Sequence, residues 1–120
     1  MNAILQAQQA YAPIRPTIQT HRAIEAQIIT DITVRMTRQT GDYPALVRAV
    51  HDNRSMWTTL AIDVADPANG LPAPLRAQIF YLAEFTDHHS QRFLRGEADL
   101  TALIDINTAV IRGLNARAAS

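Results

Sequence analysis

Apolar residues recur along this chain mostly at spacings of three and four, the repeat of an α-helix. A first short helix is expected over about Ala3 to Tyr11. It is weakly specified by small and polar residues. Pro13 and Pro16 follow, and each disfavours helix at the residue before it, so Tyr11 to Pro16 reads as extended or turning. The next helix is expected from near Thr17 to about Thr40. Ile24, Ile28, Ile29, Ile32 and Met36 form its apolar stripe. Its many β-branched residues lower its intrinsic propensity, so packing must hold it. Gly41 offers a left-handed ending, Asp42 a cap for the helix that follows, and Pro44 suits a first turn. That third helix runs to about Val64, with Leu46, Val47, Val50, Trp57, Leu60, Ala61 and Val64 on one face.

Asp66-Pro67-Ala68-Asn69-Gly70-Leu71-Pro72 interrupts the pattern. Asn-Gly can mark a β-hairpin, but no alternating runs flank it, so a loop between helices is the better reading. A fourth helix is expected over about Ala73 to Leu94, with Leu75, Ile79, Leu82 and Phe85 or Phe93 inward. Gly96 ends it. Asp99 can cap a fifth helix to about Asn115, carrying Leu103, Ile104, Ile106, Val110, Ile111 and Leu114. Residues 1–16 are expected to be flexible and Ala116 to Ser120 to fray. The whole is one all-α domain, a small antiparallel bundle of four main helices plus the short N-terminal one.

Composition narrows the function. At 120 residues and 48% hydrophobic, the chain can bury a core without staples. It has no cysteine, which removes disulfides and thiolate metal sites and fits a reducing cytoplasm. The opening residues lack the basic start and apolar stretch of a secretory signal. No run reaches the ~20 apolar residues of a membrane span. The 11 basic residues, all Arg, balance 11 acidic ones and are scattered, so a nucleic-acid footprint is not expected.

Catalytic and metal constellations are weak. His88 and His89 are adjacent, so on a helix they point about 100° apart and do not share one ion. Glu84 with His88 has metal-ligand spacing, but two ligands are too few for a structural zinc site. Glu97 with Asp99 reads as loop and cap. Ser55 and Ser90 lack the glycine-flanked elbow of hydrolases, and the glycines at 41, 70, 96 and 113 form no phosphate loop. An enzyme is not expected, nor any cofactor or metal. Trp57, the one tryptophan, is by default a core residue; the alternative is an anchor in a partner groove. Asn107, amid Leu103, Ile104, Ile106, Val110 and Ile111, is expected to bond to a loop backbone or its own helix. Its alternative is a polar contact in a binding groove.

The segment from Asp52 to Leu114 resembles the FlaF family of flagellar biosynthesis regulators. The stretches that carry the likeness are Asn53 to Leu60, Asp63, Pro67 to Pro72, Leu75 to Ile79, and Leu103 to Asn107 followed by Ile111, Gly113 and Leu114. His89 to Gly96 also matches, and earlier Tyr11, Arg22 and Glu25 agree. Gly70 is a departure, inserted where the family's loop is often shorter. The resemblance implies cytoplasmic work in flagellum assembly, supporting flagellin synthesis or secretion alongside the regulator FlbT. The expected role is a flagellin-binding chaperone or adaptor. The alternative is a regulator of flagellin translation acting through FlbT or the messenger RNA, with direct RNA contact disfavoured. A homodimer seam is a further reading. Candidate partner contacts, chosen from the resemblance and their place near apolar faces, are Trp57, Leu60, Arg76, Asp105, Asn107 and Ile111.

Overall fold

The computed structural model describes the backbone of residues 15–119 and the side chains of residues 26–113. The short helix expected over Ala3 to Tyr11 lies outside the described residues. Within them, four helices follow one another: α1 (Arg15–Arg38), α2 (Tyr43–Ala65), α3 (Ala73–Leu94) and α4 (Thr101–Ala119). α1 begins two residues earlier than expected, with Pro16 inside its first turn, where the missing N–H has no helical partner to lose. α4 continues beyond the expected end at Asn115, through most of the tail expected to fray.

Local chemistry explains the boundaries. Thr30, Thr33 and Thr37 donate their hydroxyls to the carbonyls of Ala26, Ile29 and Thr33, which satisfies polar side chains inside a helix of poor propensity. At the α1–α2 turn, Gly41 does not take the expected left-handed conformation; Gly96 alone has positive φ among the described residues. Asp42 N–H instead donates to Gln39 O at 3.1 Å, and its carboxylate accepts from Ala45 N–H at 3.1 Å to cap α2. α3 ends as expected at Gly96. Gly96 N–H donates to Phe93 O and Glu97 N–H to Arg92 O, both at 2.9 Å, the paired bonds of a Schellman ending. Asp99 accepts from Thr101 N–H at 3.0 Å and so serves the start of α4.

α1 lies along α4, and α2 along α3; α1 also packs on α2, while α3 and α4 touch only slightly. A core cluster joins Ile32 and Met36 of α1 with Leu46, Ala49 and Val50 of α2 and Leu100 and Leu103 at the start of α4. Met56, Phe93 and Ile104 pack against it. Two cross-helix ion pairs fix register: Arg35 with Asp52 at 2.8 Å and Arg54 with Asp87 at 2.7 Å. Both are partly exposed, so they orient the helices more than they stabilise them.

α3 keeps most of its expected face: Leu75, Ile79, Leu82 and Phe93 are half-buried, with Phe93 packed against the core, while Phe85 lies at the margin. Its buried residues are Ala83, Thr86, His89 and Ser90, small or polar, while Phe80 and Tyr81 stand in solvent. The consequence is an exposed aromatic surface of Phe80 and Tyr81, with Phe85 at its edge.

Candidate functional site

The loop motif folds the α2–α3 hairpin. Asn69 is its centre: its backbone N–H donates to Asp66 O at 2.9 Å, its Nδ2 to Asp63 O at 3.1 Å, and its Oδ1 accepts from Leu71 N–H at 3.0 Å. Asp66 Oδ1 accepts from Ala68 N–H at 2.9 Å. Arg76 reaches back from the first turn of α3, placing Nη1 at 3.4 Å from both Val64 O and Asp66 O. A cation suits the negative end of α2, whose last carbonyls have no helical partner. Arg76, expected to contact a partner, thus closes the hairpin.

Trp57 and Asn107 meet inside the bundle. Trp57 is 1% exposed and Asn107 fully buried. Trp57 Nε1–H donates to Asn107 Oδ1 at 2.9 Å. Asn107 Nδ2 donates to Asn53 Oδ1 at 2.8 Å and to Thr33 Oγ1 at 3.1 Å. One amide therefore ties α1, α2 and α4 together. This corrects the expectation that Asn107 would bond a loop backbone or its own helix. Trp57 is the core residue that its default reading expects, and the alternative of Trp57 and Asn107 as partner contacts is corrected: neither presents surface, because each satisfies the other's polar atoms where water is excluded. The motif residues Asn53, Trp57 and Asn107 are one interior device. Asn53 Nδ2 and, on the facing helix, Thr86 Oγ1 are buried without a partner among the described residues.

The other candidates scatter. Leu60 and Ile111 are half-buried, and Asp105 is exposed on α4. The structure does not join these to Trp57 as one surface. Sequence reasoning missed the outer face of α3, where Tyr81 is 65% and Phe85 36% exposed, with Phe80 at its margin. Ala77, Glu84 and His88 share that exposed side. The signal was present: Tyr81 and Phe85 are four apart and fall on one side of the helix, while Ala83, Thr86 and Ser90 form a small-residue stripe opposite.

The histidines divide. His88 is exposed; His89 is buried, with Nε2 at 3.0 Å from Asp99 O and its ring stacked on Phe85. His89 thereby ties α3 to the approach of α4. At the α3 ending, Arg95 donates to both oxygens of Glu97 at 3.2 Å. That hydrogen bonding and charge hold the Glu97 carboxyl below the ordinary glutamate range. No helix among the described residues is long and apolar enough to cross a membrane.

Fold and surface together define a small all-α bundle, closed inside by an asparagine–tryptophan network and bearing an exposed aromatic face on α3. The chain belongs to the FlaF family of flagellar proteins: the family described as flagellar protein FlaF matches residues 7–114. Its role is therefore a flagellar one. Neither the curated proteins nor the solved structures contain a significant match.

Proposed function

We propose that this protein binds flagellin in the cytoplasm, as a chaperone or adaptor without catalytic activity of its own, and does so through the outer face of α3. The observation that carries the reading is the exposure of aromatic side chains on the outer side of α3. Aromatic side chains are costly to leave in water, and a patch of them on a small protein marks a contact surface. Here Phe80, Tyr81 and Phe85 face out while Thr86 and Ser90 face in. Family membership supplies the flagellar setting. Flagellin subunits carry amphipathic terminal helices that polymerise in the filament. Such a helix presents apolar residues at i, i+3 and i+4, which an aromatic helix face can receive. Covering those helices before export keeps them from aggregating.

Titration calorimetry with monomeric flagellin tests this. The reading expects micromolar or tighter binding, about −8 kcal/mol or better, lost when flagellin lacks its terminal helices. No heat at tens of micromolar would defeat it. FlbT would then be the next partner to titrate, in line with a role in flagellin translation.

A further inference from the structure

The loop that closes the α2–α3 hairpin places Asn69 directly before Gly70 on an exposed turn. An asparagine side chain can be attacked by the backbone nitrogen of the next residue, and three features favour that attack: an unobstructed nitrogen, an N–H free to lose a proton, and an electrophilic amide carbonyl. All three are met here. Nothing lies within 4 Å of the point where a Cβ on Gly70 would stand. Gly70 N–H donates to no group among the described residues, whereas both its neighbours' N–H groups are engaged. Leu71 N–H donates to Asn69 Oδ1 at 3.0 Å. That bond draws electron density from Cγ and stabilises the negative charge that gathers on Oδ1 as a tetrahedral centre forms.

We infer that Asn69 is a self-modification site that deamidates in the folded protein. Hydroxide from solvent removes the Gly70 amide proton. The nitrogen's electron pair forms a bond to Asn69 Cγ, the Cγ–Nδ2 bond breaks, and Nδ2 takes a proton from water and leaves as ammonia. One water then opens the cyclic imide at either carbonyl and leaves aspartate or isoaspartate at position 69. No oxidant or reductant takes part.

The product is ill-suited to its place. It loses the Nδ2 donor that Asp63 O accepts at 3.1 Å. A carboxylate then stands beside that carbonyl, at the negative end of α2, within a turn that already holds Asp63 and Asp66. Isoaspartate also lengthens the backbone in a turn held by bonds from residues 66, 69 and 71. Conversion therefore loosens the hairpin that carries the aromatic face of α3. The inference rests on loop chemistry alone and stands apart from the proposed partner.

The test incubates the full folded chain at mildly alkaline pH in heavy-oxygen water and follows label at position 69 by peptide mapping. The same measurement is made in urea. The expected result is conversion in the folded chain at least as fast as in the unfolded one, slowed severalfold by Gly70→Ala. That substitution leaves the fold intact, since Gly70 has neither positive φ nor a close neighbour. Conversion confined to the urea-unfolded chain overturns the inference. Asn69→Asp, which mimics one product, should lower the thermal midpoint; an unchanged midpoint overturns the loosening.

Discussion

Asn107→Leu removes the centre of the interior network while keeping nearly the same volume. Three hydrogen bonds disappear, but their loss is unequal. Thr33 keeps its own bond to Ile29 O and loses only an acceptor role. Trp57 Nε1–H and Asn53 Oδ1 are stranded in a site that excludes water. A stranded buried group costs about 1–3 kcal/mol, so the two together cost about 2–6 kcal/mol. Burying the leucine returns part of this, at about 25 cal/mol per Å² of apolar surface. The net expectation is a loss of about 2–3 kcal/mol, or about 10 °C in thermal midpoint for a chain this size. Trp57→Phe strands only Asn107 Oδ1 and should cost about 2 kcal/mol including lost packing. In the double variant neither Trp57 Nε1–H nor Asn107 Oδ1 remains to be stranded, although Asn53 Oδ1 still is, so the combined loss should fall short of the sum of the two by about 1–2 kcal/mol. Urea unfolding followed by far-ultraviolet circular dichroism measures all four proteins, because it does not need the tryptophan. Additivity within about 0.5 kcal/mol would refute the claim that Trp57 and Asn107 act as one unit.

Asp42→Ala removes the cap on α2 and should cost about 1 kcal/mol, read from the same unfolding curves. Gly96→Ala forces a side chain into the left-handed conformation at φ 75°, and should cost about 1–2 kcal/mol even though space is open around it. Glu97 titrates below the ordinary glutamate range because Arg95 holds its charged form. A depressed folded-state pKa contributes stability above the unfolded value, lost as pH falls through the folded one. Carboxyl-carbon magnetic resonance should therefore show the Glu97 midpoint rising in Arg95→Gln; an unmoved midpoint would contradict the assignment.

The four main helices were legible because large apolar residues repeat at helical spacing and because Asp42, Gly96 and Asp99 carry recognisable end chemistry. The faces of α1 and α2 were largely legible too: Ile29, Ile32, Met36, Leu46, Val50, Trp57 and Val64 are buried as the stripes require. α3 was legible in part: Leu75, Ile79, Leu82 and Phe93 do lie on its inner side, but large residues also lie on the outer side, and an apolar-stripe reading follows size. It passes over Ala83, Thr86 and Ser90, which are buried. Gly41 misled for a related reason, since the Asp42 cap closes that turn without positive φ. The site was harder still. Asn53, Trp57 and Asn107 lie on two helices with about 50 residues between the pair, and no local spacing reveals that they converge. Arg76 was noticed, but its target is the carbonyl end of α2, a group the sequence does not display.

The central claim is that the aromatic face of α3 receives flagellin. Its most direct test is a flagellin titration of the native chain beside Tyr81→Ser, at the most exposed of the three aromatic positions, with thermal unfolding of both. The exposed substitution should leave stability within about 0.5 kcal/mol, while binding weakens at least tenfold, about 1.4 kcal/mol. Equal binding by the two proteins, with both folded, would contradict the account and send the search for the contact surface elsewhere on the bundle.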